Sequence, residues 1–232
     1  MTLKEQFAFN FLENSRWQFI LTGLRNTITI ALLAVLVGIV LGFLIAIVRS
    51  CHDKSDRPGI VLRILNLISH VYLTVIRGTP TMVQLLIVYY VIFASVNIDK
   101  TLVAVIAFGL NSAAYVAEII RSGIMSIDEG QTEAGRSLGL SFIATMWLII
   151  LPQAFKNVLP ALGNEFIVLL KETSISGYIG LMDLTRGGDI IRSQTYEALF
   201  PLLMVAVIYL VLVGILSYLV GRLERRLRVS ER

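Results

Sequence analysis

The sequence predicts an all-α integral membrane protein with five transmembrane helices. Hydrophobic residues make up 56% of the 232 positions, and the mean hydropathy of +0.79 is far above that of a soluble globular domain. Charged residues are only 16%, and they fall between apolar runs of about twenty residues, the length that crosses ~30 Å of hydrocarbon. We expect one membrane domain at 20–220, an interfacial segment at 1–19 and a basic tail at 221–232.

The N-terminal segment mixes aromatic and polar residues, a pattern suited to the headgroup zone of a membrane. It lacks a compact apolar core that ends in a small-residue cleavage site, so we expect it to be retained and to lie along the membrane surface on the extracytoplasmic side. The first span then runs from Ile20 to Val48, without a charge after Arg25. Within it, Gly38 and Gly42 either allow another helix to pack closely or are merely tolerated.

The second and third spans follow a basic segment. Residues 49–77 contain five basic side chains and an amphipathic half after Pro58, so we expect a helix at the cytoplasmic interface rather than a crossing. The second span is predicted at 79–96, kinked early by Pro80, and the third at 101–120. A short polar turn joins these two spans.

The rest of the chain contains two more spans. A polar loop at 121–140 is followed by an amphipathic piece that ends at Pro152. The fourth span, at 155–178, is too polar for lipid and must face protein or water. Its polar residues are Lys156, Asn157, Asn164, Glu165, Lys171 and Glu172. The segment 177–196 is expected outside the bilayer, and the fifth span is predicted at 199–220.

The distribution of Lys and Arg predicts the orientation of the spans. An odd number of spans puts the termini on opposite sides, and cytoplasmic loops carry the excess of basic residues. With the C-terminus in the cytoplasm, twelve basic residues lie on the cytoplasmic side and seven on the other. We therefore expect the N-terminus outside and the 121–140 loop in the cytoplasm. The basic tail would then lie near anionic lipid headgroups.

Sequence features of common catalytic and cofactor-binding sites are absent. The sequence has no Gly-rich phosphate-binding loop, and Cys51 is its single cysteine. Neither His52 nor His70 has the Ser and carboxylate partners that nucleophilic catalysis needs. We expect no catalytic residue, no metal site and no cofactor in this chain, and its charge pattern does not suggest nucleic acid binding.

Two pairs of opposite charge are predicted to stabilise helix ends. Glu118 precedes Arg121 by three residues, and Asp183 precedes Arg186 by the same spacing. Side chains three residues apart are neighbours on a helix surface. Contact with a partner is the alternative for either pair, but a structural role is favoured.

A short polar helix is predicted within the 121–140 loop. Ser126 and Glu129 fit an N-terminal capping box, so the helix should begin near Ile127. Gly139 is typical of the position just past a helix end, which makes the helix about twelve residues long.

This helix is suited to close docking by another protein. Polar side chains share one face at i, i+3 and i+4, namely Glu133, Arg136 and Ser137. Small residues leave the backbone accessible at Ala134, Gly135 and Gly139.

The spacing around this helix resembles the EAA loop of the membrane subunits of ABC importers. That loop reads Glu-Ala-Ala, three residues, Gly, nine residues, Ile, one residue, Leu-Pro. The matching positions are Glu133, Ala134, Gly139, Ile149, Leu151 and Pro152, with Gly135 where Ala is usual. The resemblance implies that 126–152 is a coupling loop, whose helix contacts a cytoplasmic ATPase subunit through Glu133, Ala134, Gly135, Arg136 and Gly139.

A wider resemblance to the polar amino acid importers of this class covers nearly the whole chain. The similar blocks are Arg77-Gly78-Thr79-Pro80 with Val83-Gln84-Leu85, the stretch 114–123, Gly163-Asn164-Glu165-Phe166, and Leu170-Lys171-Glu172-Thr173-Ser174. It implies the type I importer permease fold, in which two permease subunits stand on two ATPase subunits that bind ATP and Mg²⁺. It also implies a bacterial inner membrane and an extracytoplasmic amino acid binding protein.

Polar residues at mid-membrane depth mark the candidate substrate site. Glu165 lies about ten residues into the fourth span, and Asn111 and Ser112 about ten into the third, which places each ~15 Å deep. An uncompensated carboxylate there costs roughly 3 kcal/mol or more, so a substrate ammonium or guanidinium would suit Glu165. Asn164 and Gln84 are further candidates. The alternatives are an ion pair of Glu165 with Lys171 or Lys156, and a helix-to-helix hydrogen bond for Asn111.

The sequence thus predicts a permease subunit that imports a polar amino acid, cationic ones included, by alternating access, driven by ATP hydrolysis in a separate subunit. An ion-coupled transporter or channel, with Glu165 as a proton or cation site, is the main rival. A membrane scaffold without transport activity is disfavoured by the buried carboxylate. Which amino acid is carried, and whether the second permease is an identical or a different chain, stays open.

Overall fold

The computed structural model describes residues 2–53, 55 and 57–229, and every element within them is helical. The α-helices of this part are α1 (Leu3–Phe7), α2 (Trp17–Asp53), α3 (Ile60–Gly78), α4 (Thr81–Ile87), α5 (Lys100–Met125), α6 (Glu129–Ser137), α7 (Phe142–Thr145), α8 (Leu151–Glu172), α9 (Leu184–Thr195) and α10 (Leu199–Val229). Short π-helical turns occupy Ala8–Leu12, Val88–Ile92 and Met146–Ile150, and 3-10 turns occupy Glu13–Ser15 and Thr173–Ile179. The predicted all-α class is confirmed.

Two basic positions used in the sequence argument fall outside this description. They are Lys54, which lies between described residues, and Arg232, one of the last three positions of the predicted tail, 230–232. The described part of the tail continues α10 as far as Val229.

Five helical segments are long and apolar enough to cross a membrane, as predicted. Among the described residues they are Trp17–Asp53, Ile60–Gly78, Lys100–Met125, Phe142–Ile179 and Leu199–Leu227. The predicted second span, 79–96, was wrong: its helical part, Thr81–Ile92, is about 18 Å long and too short to cross alone. The helix expected at the interface, α3, is itself a candidate span.

Most polar residues of helix α3 lie on one face, so the helix is more apolar than the sequence pattern suggested. Arg63, Asn66 and His70 recur at i, i+3 and i+7, so they interrupt one face and leave the rest apolar. Thr79 is extended, with ψ of 149°, and Pro80 cannot donate a backbone hydrogen bond. The chain therefore breaks between α3 and α4 instead of bending within one span.

Helices α2 and α5 pack closely through glycines. A methyl group added at Gly38 would lie 2.8 Å from Ser112 Oγ, and one at Gly42 would lie 2.7 Å from Val116 Cβ. From the other side, a methyl group at Gly109 of α5 would lie 2.8 Å from a methyl group of α2. Close packing, rather than tolerated filler, therefore explains Gly38 and Gly42 of α2.

Helices α3 and α4 lie against different parts of α5. Leu73 of α3 packs with Ala114 and Ala117. Leu85 of α4 belongs to the core cluster that contains Phe108, nearer the start of α5. The break at Thr79 and Pro80 therefore lies beside the middle of α5.

The predicted start of the polar helix was wrong, and its end is confirmed. Helix α6 begins at Glu129, because Asp128 caps it by accepting a hydrogen bond from the Gly130 amide at 2.8 Å. Ser126 is not available for the capping box, since α5 extends to Met125 and the Ser126 hydroxyl donates to the Gly123 carbonyl at 2.8 Å. Gly139 follows the helix end with φ of 84°, the left-handed conformation that glycine favours.

Pro152 does not end a helix, contrary to expectation. The π-helical turn Met146–Ile150 leads directly from α7 into α8, and Pro152 lies in the first turn of α8. Proline is tolerated there because the wider turn before it already departs from the regular α-helical bonding pattern. The helical path Phe142–Ile179 is therefore continuous.

Asp183 has a different role from the predicted pair with Arg186. Its Oδ1 accepts a hydrogen bond from the Arg186 backbone amide at 2.8 Å and so caps α9. The Arg186 guanidinium instead pairs with Asp189 at 2.8 Å. Asp183 is fully buried, and burial raises the pKa of its carboxyl group above the usual range.

The N-terminal segment packs onto the same end of the molecule. Phe11 is buried in a cluster with Leu184 and Ile191 of α9. Asn10 Nδ2 donates a hydrogen bond to Glu197 Oε2 at 2.6 Å, just beyond α9. The placement of residues 1–19 at an extracytoplasmic interface stays a prediction.

Candidate functional site

Glu165 and Ser112 meet between α8 and α5. Ser112 Oγ donates a hydrogen bond to Glu165 Oε1 at 2.9 Å, and Ser112 is fully buried beneath Gly38. An ionised carboxylate can accept about four hydrogen bonds, so one hydroxyl leaves capacity for a further donor. The ion pairs among the described residues do not include Glu165 with Lys171, the structural alternative from the sequence.

Asn111 and Gln84 are joined to each other rather than to Glu165. Asn111 Nδ2 donates to Gln84 Oε1 at 2.9 Å, and Asn111 is 1% exposed. Gln84 Nε2 in turn donates to the Ile76 carbonyl at 2.7 Å and to Thr79 Oγ1 at 2.8 Å. These bonds brace the break between α3 and α4 against α5. Any role of Asn111 and Gln84 in binding substrate stays a prediction.

A polar groove begins at Glu165 and runs toward the end of α5. Its volume is about 430 Å³, within the usual range of small-molecule sites. The residues that line it are Arg77, Tyr115, Glu118, Ile119, Ser122, Gly123, Ser126, Asn157, Ala161 and Glu165. On α5 and on α8 these positions recur every three or four residues, so each helix presents one polar face. The groove therefore connects mid-span Glu165 with the 126–152 loop.

Opposite charges line the half of the polar groove nearer the loop. Glu118 Oε1 accepts from Arg121 Nη2 at 2.6 Å, which confirms the predicted pair. Arg121 also lies 3.3 Å from Asp53 Oδ2, so the pair connects α5 with the end of α2. Arg77 Nη1 is 3.9 Å from Glu118 Oε2, too far for a hydrogen bond, and its guanidinium carbon lies 5.8 Å from the Tyr115 ring centre.

Asn164 does not join Glu165, although the two are adjacent in sequence. It is exposed and lines a separate groove of about 320 Å³ between α8 and α10. Lys156, the other proposed partner of Glu165, and Glu224 line this second groove too. The reason is helical geometry, since neighbouring residues of a helix point about 100° apart.

Most predicted coupling residues are exposed on α6 and just after it. Glu133, Ala134, Arg136 and Gly139 are exposed, and Gly135 is buried. A methyl group at Gly135 would lie 2.7 Å from Thr145 Cγ2 and 3.0 Å from Ile149 Cδ1. Gly135 thus packs against the segment that leads into α8, which accounts for glycine where Ala is usual. A coupling role for these residues stays a prediction.

Sequence reasoning did not identify Arg77, Tyr115 and Asn157 as groove residues. Arg77 was named as a loop charge and as part of a block that resembles the polar amino acid importers, but its segment was placed at the interface, away from the candidate substrate site. A usable signal was present on α5, where Ser112, Tyr115, Glu118 and Ser122 form a polar stripe along an otherwise apolar helix, which Ser126 continues just past the helix end. Such a stripe in a membrane span must face protein or water.

Comparison with known proteins shows the family. The family described as "Binding-protein-dependent transport system inner membrane component" matches residues 60–229. This chain belongs to that family. The resemblance inferred from the EAA-loop positions is thereby confirmed.

Curated relatives cover nearly the whole chain. The arginine transport system permease protein ArtQ of Bacillus subtilis (strain 168) is 41% identical over 215 residues, which are 92% of this chain and 94% of the relative. The glutamine transport system permease protein GlnP of Escherichia coli (strain K12) is 37% identical over 213 residues, which are 90% of this chain and 93% of the relative.

Solved structures share the fold. A chain from a structure described as "Crystal structure of an amino acid ABC transporter with histidines" is 43% identical and superposes with a TM-score of 0.82, over 93% of this chain and 98% of that one. The inward-facing MetNI methionine ABC transporter has a TM-score of 0.77 over the same shares of the two chains at 19% identity, which shows likeness of fold alone. The predicted importer permease fold is confirmed.

Proposed function

We propose that this chain is the permease subunit of an ABC importer that moves a polar amino acid, preferably a cationic one, by alternating access. The observation that carries the proposal is the half-buried Glu165 carboxylate. The neutral hydroxyl of Ser112 holds it at the end of the polar groove that lies away from the 126–152 loop. An unpaired carboxylate at that depth costs roughly 3 kcal/mol or more, so a substrate cation would stabilise it.

The relatives support an amino acid as the substrate. One relative belongs to an arginine transport system and another to a glutamine transport system. Both amino acids carry an α-ammonium group, and arginine adds a guanidinium that can form two parallel hydrogen bonds with a carboxylate. Glu165 therefore accepts either amino acid and favours the cationic one.

The energy would come from ATP hydrolysed by a cytoplasmic ATPase dimer that docks on α6. Exposed Glu133, Ala134, Arg136 and Gly139 form the docking surface, and ATP and Mg²⁺ bind to the ATPase. Because Gly135 packs on Thr145, movement of α6 would be transmitted through α7 to α8, which carries Glu165. Closure of the ATPase dimer would thus move one wall of the polar groove relative to the other.

The complete importer would contain two permease subunits, identical or different, and an extracytoplasmic amino acid binding protein. It would lie in a bacterial inner membrane, with the N-terminus of this chain outside and the C-terminus in the cytoplasm. The spans Ile60–Gly78 and Leu199–Leu227 are largely unburied within one chain, which leaves apolar surface for the second permease and for lipid.

Uptake into proteoliposomes tests the proposal. This chain is reconstituted with its ATPase and binding protein, ATP is supplied on the side of α6, and uptake of radiolabelled arginine and glutamine is measured. We expect uptake that requires ATP. Uptake by this chain alone under a proton or sodium gradient would contradict the proposal and favour an ion-coupled transporter. No uptake under either condition would favour a scaffold.

A further inference from the structure

An amino acid brings a carboxylate into the polar groove together with its cation. This inference rests on the proposed function, in which Glu165 binds the cationic group and the carboxylate is left without a partner. A carboxylate taken from water without a partner is strongly disfavoured. The groove should therefore contain a cation within reach of a molecule bound at Glu165.

Arg77 is the basic residue among those that line the polar groove in the described part of the chain. It comes from the last turn of α3, so it belongs to a different wall from Glu165. We propose that Arg77 binds the α-carboxylate of the substrate and, with Glu165, selects a basic amino acid whose side chain points toward mid-membrane. Arg77 would then determine specificity without taking part in any covalent step.

The contacts of Arg77 leave it free to bind a carboxylate. Its guanidinium lies 3.9 Å from Glu118 Oε2, beyond hydrogen-bond distance, and its side chain is 45% exposed. Glu118 is already engaged, because its other oxygen binds Arg121 at 2.6 Å. A planar guanidinium with unused donors matches the two oxygens of a carboxylate. The Tyr115 ring, 5.8 Å away, supports the guanidinium from one side.

The positions also fit the length of a basic amino acid. Tyr115 follows Ser112 by one helical turn, and Ser112 holds Glu165. Arg77 beside Tyr115 and Glu165 beside Ser112 are therefore separated by roughly one to two turns, ~5–10 Å. This separation suits the two ends of an extended basic side chain better than the adjacent α-ammonium and α-carboxylate groups.

A pair of ligands that differ only in the carboxylate tests the inference. Agmatine is arginine without its carboxylate, and 4-aminobutanamide is glutamine without its carboxylate. Binding of both pairs to the purified permease–ATPase complex is measured by competition with radiolabelled arginine or glutamine. The variants are Arg77→Gln and Arg77→Lys, with Arg63→Gln as control, since Arg63 is an exposed base on the same helix outside the groove.

The wild type should bind arginine at least about tenfold more tightly than agmatine. The preference for glutamine over 4-aminobutanamide should be smaller, because the ammonium of glutamine is adjacent to its carboxylate and cannot reach Glu165 while Arg77 binds the carboxylate. Arg77→Gln should reduce the ratio for arginine and agmatine toward one, chiefly through weaker binding of the acid, and Arg77→Lys should retain part of it. Arg63→Gln should leave the ratio unchanged. Glu165→Gln should weaken the binding of agmatine and of arginine by the same factor.

Two results would overturn the inference while leaving the proposed function intact. An unchanged ratio in Arg77→Gln would show that the carboxylate is bound elsewhere. Equal loss of acid and analogue would show that Arg77 only supports the fold. If the wild type binds neither arginine nor glutamine, the proposed function fails and the inference fails with it.

Discussion

At the scale of single residues, the site depends on which side chains have space and which have partners. Ser112 reaches Glu165 because Gly38 leaves room for it. The importance of Ser112 and Glu165 could be predicted, since polar groups at mid-membrane depth are costly. Two other features could not be predicted, because they depend on how α5 and α8 are rotated about their axes. These are the separation of Asn164 from Glu165 and the pairing of Asn111 with Gln84.

Gly38→Ala should destabilise the α2–α5 contact. The added methyl group would lie 2.8 Å from Ser112 Oγ, and overpacking of this kind costs about 1–3 kcal/mol. The thermal midpoint of the detergent-purified chain should therefore fall. Gly221→Ala in α10 is the matched control, because outside its own chain neighbours and local helix backbone nothing lies within 4 Å of the position its methyl group would take. Equal midpoints for the two variants would contradict the close packing.

Asp183→Asn should be tolerated and should change how stability depends on pH. Burial raises the pKa of Asp183 from its ordinary value of 3.8, so the folded state holds this proton more tightly than the unfolded state does. The wild type should lose stability relative to the variant as pH rises from about 4 through the raised pKa, and the difference should then stay constant. Thermal midpoints between pH 4 and 8 measure this. If the thermal midpoint of the wild type instead rises relative to that of the variant as pH rises, the raised pKa is contradicted.

At the scale of elements, α6 shows what local signals can and cannot predict. Its end at Gly139 was predictable, because glycine adopts the left-handed conformation without strain. Its start was not, because Ser126 is taken by the end of α5 and Asp128 caps the helix instead. In the same way, Pro80 was predicted to kink a single span, and the structure instead has a break there between α3 and α4. Which of the two is the long apolar helix depends on the face that α3 presents.

Glu133→Lys should weaken the hold of the permease on its ATPase without affecting membrane insertion. Glu133 is exposed on α6 and has no part in the packing of Gly135 against Thr145. The amount of ATPase that copurifies should fall, and the yield of membrane-inserted permease should not. Glu13→Lys reverses an exposed charge far from α6 and is the control. Gly139 is a poorer test site, because its φ of 84° would strain any larger residue. Normal copurification and transport by Glu133→Lys would refute the docking surface.

At the scale of the whole molecule, the number of spans follows from hydropathy and length, although the second span was predicted at 79–96 and is Ile60–Gly78 in the structure. The polar groove could not be predicted from hydropathy and length, because it arises only where faces of α3, α5 and α8 meet. The orientation of the chain depends on the excess of basic residues on one side, a property of the sequence that helix packing alone does not report.

Cysteine labelling measures the orientation. Ser137→Cys in α6 and Ser193→Cys in α9 are both exposed and conservative, and they are introduced where the exposed Cys51 has been changed to Ser. A membrane-impermeant maleimide applied to intact spheroplasts should label position 193 and spare position 137. Inside-out vesicles should give the reverse. Labelling of both positions from one side would contradict the five-span topology.

The central claim is that the Glu165 carboxylate binds the cationic group of the substrate. Glu165→Gln keeps the size and most of the hydrogen-bonding capacity of the side chain and removes its charge. Truncating one partner of a buried, hydrogen-bonded charge pair typically costs about 2–5 kcal/mol, and the half-buried Glu165 should fall at the lower end of that range.

Substrate-stimulated ATP hydrolysis by the reconstituted complex measures this claim most directly. The stimulation by arginine should fall at least about tenfold in Glu165→Gln, and the stimulation by glutamine should fall less. Glu13→Gln, an exposed carboxylate distant from the polar groove, should match the wild type. If arginine and glutamine both stimulate ATP hydrolysis in Glu165→Gln as strongly as in the wild type, the carboxylate is structural and the account is contradicted.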